Sequence, residues 1–408
     1  MPGITLEAVE AMDARDPLAS LRDRFEMPEG RIYLDGNSLG AMPRETASRV
    51  QTCIAEHWGK DLILSWNRHD WIGLSRRIGE KLAPIIGARR DEVIACDSTS
   101  INLYKLISAA LADLPANHRV LTEESGFPTN RYMLDARARD RVVVAPRGAI
   151  LDHIDDSVAL VALTHVDYRS GDMLDIAKVT TAAREAGALV LWDLSHSAGA
   201  VRVDLHASGA DLAVGCGYKY LNGGPGAPAW LYVRRSLQDR LQSPLPGWLG
   251  HARPFDFEQA YEGNPGVDRF LCGTPPIIAM TALECGIDQF SGVEIERLFE
   301  KGRQLGALYI ELMEQMCGDQ GFTLVSPRDD TSRGCHVSYS HEHAYAICQA
   351  LIERGVIGDF RTPDILRMGF AALYTRFADV WHAVSCLREI MATKAWDEAR
   401  FKVRNRVT

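Results

Sequence analysis

Nowhere does the sequence hold an uninterrupted apolar run approaching the roughly 20 residues that a membrane-spanning helix needs, so no transmembrane segment is expected. The stretch from Met1 to Phe25 carries acidic residues where a signal peptide requires an apolar core. None of the nine cysteines stands in a C-x-x-C pair, and their odd number suits reduced thiols better than a disulfide framework. These absences lead to the expectation of a soluble, cytoplasmic protein. Cations are not massed either: 45 Lys and Arg face 54 Asp and Glu, for a net charge of -9, which argues against a nucleic-acid surface. Internal repeats and low-complexity tracts are also missing. The partners to expect are small molecules or further copies of the chain, with no membrane and no nucleic acid.

What is present is a chain of 408 residues, 46% hydrophobic and 24% charged, long enough to bury one large core and a second, smaller one. Short runs rich in Val, Leu and Ala alternate with longer amphipathic stretches, the pattern of a mainly parallel sheet covered by helices. Strands are expected at Arg119–Thr122, Ala159–Leu163, Leu189–Trp192, Leu212–Gly215 and Trp230–Val233. Between the second and third, Ile176–Ala186 reads as a crossover helix with Gly187 as its C-cap. Residues 46–288 are assigned to this large α/β domain. Residues 1–45 and 289–408 are assigned to an N-terminal segment and a smaller α+β domain, with a long helix over Glu294–Met316, a strand over Cys335–Ser340 and a helix over His343–Arg354. Ser243–Gly250 and Gly263–Gly266 read as loops.

The run ALVLW ends at Asp193, which puts a carboxylate at the carboxyl end of a buried strand, where open α/β sheets bind ligands. Taken alone, Asp193 serves equally well as a helix cap. The next run, DLAVGCGYKYLNGGPG, brings Lys219 to a sheet edge among glycines. That is an odd place for a solvating lysine and a fitting one for a Schiff-base lysine, whose amine must be partly desolvated and closely approached. An Asp at one strand end and a Lys at the next are together the constellation of pyridoxal-phosphate enzymes. Asp97-Ser98-Thr99-Ser100, ahead of the helical INLYKLISAALA, supplies hydroxyls and a helix start for a phosphate, though the same residues make a plain N-cap.

YLDGNSLG, SWN, STSINL, GFPTNRY, WDLSHSAG, GYKYLNGGPG, GWLGH, FLCGTPPI and LRMGFAALY occur in the order seen in kynureninases, and the likeness covers nearly the whole chain. The sequence therefore resembles the kynureninase family, of fold type I, class V among pyridoxal-phosphate enzymes. The resemblance implies hydrolytic cleavage of L-kynurenine to anthranilate and L-alanine in tryptophan catabolism and NAD biosynthesis, with 3-hydroxykynurenine left open as a substrate. It implies that Lys219 carries pyridoxal 5'-phosphate and that Asp193 holds the pyridinium nitrogen protonated. Phe127 would stack on the ring, Thr99, Ser100 and Tyr218 would serve the phosphate end, and Thr129, Asn130, Thr164 and His196 would stand near the cofactor. Trp248 and Thr274 would reach in from the other subunit of a homodimer. Arg367 would grip the substrate α-carboxylate, and Tyr218 would relay a proton to the departing alanine.

Ser38 in GNSLG and Trp66 in SWN match positions near substrate, and a turn serine and a core tryptophan account for them as well. Asn130 departs from the pattern, which has Asp there; its amide is expected to donate a hydrogen bond near the cofactor's phenolic oxygen. Thr274 stands where some animal members have Asn, which bears on substrate choice. His336, His341 and His343 lack a Cys or carboxylate to complete a metal set, so no metal is expected. A class V desulfurase or selenocysteine lyase would need a mobile nucleophilic cysteine, for which Cys335 is the tempting position. A non-catalytic cofactor-binding protein is the third reading.

Overall fold

The apolar runs assemble into a seven-stranded sheet in the computed structural model, which describes residues 3–115 and 117–405. The strands are β1 (Val93–Ala95), β2 (Arg119–Glu123), β3 (Val142–Ala145), β4 (Val158–Thr164), β5 (Leu189–Asp193), β6 (Leu212–Gly215) and β7 (Trp230–Val233). They lie in the order β1-β7-β6-β5-β4-β2-β3, and only β7 runs against the others. Strand β4 reads VALVALT and is buried at all seven positions, as befits a strand covered on both faces, where alternation disappears. Each expected strand is present to within a residue at either end. The strands β1 and β3 were not expected: β1 is only three residues long, and β3 is an edge strand with Val144 40% exposed.

This sheet belongs to the larger of two compact units, Glu45–Asp167 with Leu174–Ser291. The helix Thr99–Asp113 lays Leu103, Leu106, Ile107 and Ala110 against Val120, Leu160, Leu191, Val214 and Leu231 of the sheet in one core cluster. Cutting Leu106 back to alanine there would cost about 2–5 kcal/mol. The crossover helix Ile176–Glu185 starts at Asp175, whose carboxylate accepts the Lys178 N–H at 2.9 Å, and stops short of Gly187, at φ 80°. Glycine alone takes that left-handed backbone without a Cβ penalty.

The smaller unit comprises residues 3–44, Tyr168–Met173 and 292–405. Its antiparallel sheet holds β8 (Thr323–Leu324), β9 (His336–Ser340), β10 (Asp359–Arg361) and β11 (Ile365–Gly369) in the order β10-β11-β9-β8. The helices Ile295–Cys317, Ala344–Glu353 and Phe377–Thr393 contribute Leu305, Leu312, Ile347, Leu351, Val380 and Leu387 to its core, which Val9 of the helix Leu6–Arg15 joins. The Asp13 carboxylate accepts the N–H groups of Phe377 at 2.8 Å and Ala378 at 2.9 Å, capping the last long helix from the other end of the chain.

Tyr168–Met173 belongs to the smaller unit, whereas the sequence reading placed it in the larger one. Backbone bonding explains the difference: Met173 N–H donates to Ser332 O at 2.9 Å, and Gly334 N–H donates to Gly171 O at 2.8 Å. Among the described residues no helix is long and apolar enough to cross a membrane.

Candidate functional site

In the larger unit, the parallel register sets Thr164, at the end of β4, beside Asp193, at the end of β5. Both are buried, at 2% and 5% exposure. Asp193 Oδ1 accepts the Ser195 N–H at 2.9 Å. Asn130, on the first turns of the helix Pro128–Ala138, donates from Nδ2 to Asp193 Oδ2 and to Thr164 Oγ1, each at 3.1 Å. Asn130 thus bridges Asp193 and Thr164, two of the residues that the sequence reading places near the cofactor. Its Oδ1 is buried and has no hydrogen-bond partner.

Lys219 follows β6, and its Nζ lies 3.3 Å from His196 Nε2. The glycines before it are required by close approach. A Cβ on Gly215 would sit 2.4 Å from the Trp230 ring, and one on Gly217 would sit 2.3 Å from the Pro228 carbonyl oxygen. Tyr218 is half-buried, and burial, with Cys216 and Asp193 nearby, holds its phenol well above the usual tyrosine range.

At the other end, Asp97 has φ 48°, and Ser98 caps the helix that begins with Thr99 and Ser100 by accepting the Ile101 N–H at 3.4 Å. First-turn amides of an α-helix have no intrahelical acceptor, so this turn can hold an anion. Phe127 is 45% exposed and precedes Pro128, with Thr129 half-buried in the first turn. Trp248, 43% exposed, packs on Phe255 at 5.5 Å, and Thr274 is at the surface. Trp66 is half-buried with its ring edge-on to Trp71 at 5.7 Å.

Sequence reasoning missed the brace beneath Thr164. Glu123, at the end of β2, accepts the Thr164 N–H at 2.6 Å, and Arg147 pairs with Glu123 while donating to Thr164 O at 2.8 Å and His165 O at 2.7 Å. Burial raises the Glu123 carboxyl pKa and Arg147 opposes the rise, leaving it above the ordinary value. The only signal was a glutamate ending an apolar run in LTEESG, which reads as a polar turn.

In the smaller unit, Arg367 on β11 faces Asp359 on β10 across the strand pair and is 1% exposed. Nε donates to Asp359 Oδ1 at 2.8 Å, Nη2 pairs with Oδ2, and Nη1 donates to the Tyr168 carbonyl. The Asn37 amide oxygen accepts from Nη2 and Nε at 2.9 and 3.0 Å in the orientation that satisfies both groups. Ser38 Oγ donates to Asp359 at 2.9 Å and accepts from Arg361 and Arg367, each at 3.2 Å. A cavity of about 710 Å³ is lined by Asp35, Ser38, Tyr168, Arg169, Asp359 and Arg361 among others; Arg361, its side chain 35% exposed, reaches it while Arg367 lies behind Asp359. Burial and the neighbouring Asp359 push the Asp35 carboxyl up to about 7, whereas for Asp359 the pull of Arg367 and Arg361 outweighs burial and holds it below the usual range.

Cys335 is 2% exposed, with its thiol pushed up to about 12 by burial. Among the described residues no group of three His, Cys, Asp or Glu side chains is placed to hold a metal ion; His341 Nε2 lies 3.1 Å from the Gln320 carbonyl, and its Nδ1 accepts the His343 N–H at 3.0 Å.

A doubly covered, mainly parallel sheet with a lysine and a buried aspartate at neighbouring strand ends defines the class: fold type I of the pyridoxal-phosphate enzymes. Among solved structures, the apo cysteine desulfurase from Thermococcus onnurineus NA1 matches with a TM-score of 0.79 at 18% identity, covering 93% of this chain and 99% of that one. C-DES, in a mutant with glycine covalently linked to its PLP cofactor, matches with a TM-score of 0.77 at 17% identity over 90% of this chain and 99% of its own. Identities this low speak for the fold alone. Residues 298–387 match the family model described as kynureninase C-terminal domain. Kynureninase from Pseudomonas fluorescens is 49% identical over 98% of both chains, and kynureninase from Burkholderia mallei (strain SAVP1) is 48% identical over 99% of this chain and 100% of its own. The chain belongs to the kynureninase family.

Proposed function

We propose that this chain hydrolyses L-kynurenine between Cβ and Cγ, giving anthranilate and L-alanine, with pyridoxal phosphate carried on Lys219. The observation that carries the reading is 49% identity over nearly the full length to a curated kynureninase. The larger unit fits the cofactor. Asp193 offers a buried carboxylate to a pyridinium N–H, and the unpartnered Asn130 Oδ1 beside it is a second acceptor. Thr99 and Ser100 open a helix suited to a phosphate, and Phe127 offers a half-exposed ring face.

When bound, pyridoxal phosphate supplies an electron sink for negative charge developing on the substrate. Lys219 is the general base at the substrate α-carbon, with His196 3.3 Å from its Nζ. Tyr218 carries its phenolic proton at neutral pH, as an ordinary tyrosine does, and is the group assigned to hand a proton to the β-carbon that becomes the alanine methyl. Water balances the reaction: its hydroxyl ends in the carboxyl group of anthranilate and its hydrogen on alanine. Arg367 is assigned to the substrate α-carboxylate. Asp359 spans the guanidinium edge that a carboxylate would take, so binding either displaces Asp359 or runs through Arg361, which reaches the cavity.

A homodimer completes the proposal. Leu62, Ile63 and Leu64, at 63%, 75% and 50% exposure, and Trp248 are apolar surface of the larger unit that a second copy would cover, and Trp248 and Thr274 would then serve the neighbour's cofactor. Nine cysteines with no disulfide among them fit a reducing, cytoplasmic setting, and the reaction fits tryptophan catabolism on the way to NAD. Incubation with L-kynurenine should yield fluorescent anthranilate and alanine in equal amounts. Sulfide release from cysteine with no anthranilate would overturn the reading in favour of a desulfurase.

A further inference from the structure

The helix Thr99–Asp113 contains a lysine that the chemistry above does not use. Lys105 is 0% exposed, and its ammonium has three acceptors: the Asp97 carboxylate, the Phe270 carbonyl at 2.5 Å and Cys96 Sγ at 3.9 Å. A lysine has three N–H donors, so the group is saturated. Its anionic partner is the unusual residue. Asp97 holds a left-handed backbone at φ 48°, its side chain is 27% exposed, and its carbonyl accepts the Ala229 N–H at 2.8 Å. It stands directly before the helix cap Ser98 and the first-turn residues Thr99 and Ser100. A bare carboxylate at that point would oppose the attraction of the helix N-terminus for an anion.

We infer that Lys105 is a positioning residue for the cofactor phosphate: by pairing with Asp97 it holds the turn ahead of Thr99 and cancels the negative charge of Asp97, which would repel a phosphate there. The inference rests on the reading that the phosphate docks at Thr99 and Ser100. Lys105 therefore acts from beneath the site, through Asp97, without touching the ligand. The same ammonium also holds Phe270, which leads into Cys272-Gly273-Thr274, so one buried charge ties together two segments assigned to cofactor contacts.

Two single substitutions must then act with opposite sign. Asp97→Asn keeps a residue type that tolerates left-handed backbone but leaves Lys105 as an uncompensated cation, so phosphate attraction rises. Lys105→Met leaves Asp97 as an uncompensated anion, so phosphate attraction falls; the double variant returns near the starting value. The quantity to read is the ratio of the dissociation constants of pyridoxal and pyridoxal phosphate, measured by fluorescence titration on full-length apoprotein. One charge change beside a phosphate dianion, at an effective dielectric constant of about 20, should move this ratio about tenfold or more. Opposite shifts, with restoration in the double variant, are the expected result. Equal losses for both ligands, or shifts of one sign in both single variants, would reduce Lys105 to a core residue and overturn the inference. If Lys105→Met fails to fold, Asp97→Asn decides by itself, since its ratio must rise and an unchanged or lower ratio overturns the inference. The joint control Thr99→Ala with Ser100→Ala separates the two levels: an unaltered ratio there means that the phosphate docks elsewhere, and the underlying site assignment fails instead.

Discussion

Replacing Asn130 by Asp would set a second carboxylate against Asp193, where the amide nitrogen now lies 3.1 Å from Asp193 Oδ2. Two unit charges 3.1 Å apart repel by about 5 kcal/mol at an effective dielectric constant of about 20, so the folded apoprotein relieves them by keeping one proton on the pair. The folded pKa of the introduced group is thereby raised above its unfolded value of about 3.9. A raised folded pKa gives stability that is complete below the unfolded pKa and is lost as pH rises through the folded one. The variant should therefore fall behind the parent by about 1.4 kcal/mol per pH unit, starting near pH 4 and levelling off once the folded pair has ionised. Urea unfolding of both apoproteins between about pH 4.5 and pH 8 measures this gap directly. A gap that stays constant across the range would show that position 130 does not share its environment with Asp193, and the hydrogen bond on which the argument stands would be wrong.

Borohydride reduction of the cofactor-loaded protein should fix the cofactor on Lys219, and Lys219→Ala should bind it only noncovalently; attachment to any other lysine would refute the assignment. Arg367→Ala should lower kcat/KM for kynurenine by an amount equivalent to roughly 2–5 kcal/mol, much of it from leaving a buried charge unpaired. Arg361→Ala, measured alongside, reports whether the cation that lines the cavity does the gripping, in which case its KM rises more. Mixed Lys219→Ala and Trp248→Ala subunits should recover part of the lost activity, because a hybrid dimer holds one intact site, and no recovery would dismiss the shared-site reading.

Much of the larger unit could be read from the chain because its strands are buried on both faces and so appear as unbroken apolar runs, as VALVALT does. Asp193 and Lys219 were visible for the same reason, since each marks where such a run stops. The short β1 and the half-exposed β3 lack that mark. Pairing across strands was not visible at all: that Asp359 faces Arg367 depends on the register of β10 on β11, and no local pattern specifies it. The Asn130 bonds to Asp193 and Thr164 were not visible either, because its helix sets the direction of the amide. Glu123 with Arg147, and Asp97 with Lys105, escaped for another reason. Each pairs a residue that looks like an ordinary turn or helix polar group with a distant or buried partner, and only burial reveals the charge to be internal.

The cap that Asp13 places on the helix Phe377–Thr393 joins positions 364 residues apart. On a ribosome adding about 5–20 residues per second, Asp13 emerges roughly 20–70 s before the amides that it serves. Until the helix Ile295–Cys317 emerges, Val9 has no partner from the C-terminal part of its core, while the larger unit is complete in the nascent chain once Ser291 has emerged. Vectorial synthesis thus separates the two units in time. A chain released just after Ser291 would keep a finished sheet and an unclaimed leading helix, and proteolysis of such truncated products should begin within the first 44 residues.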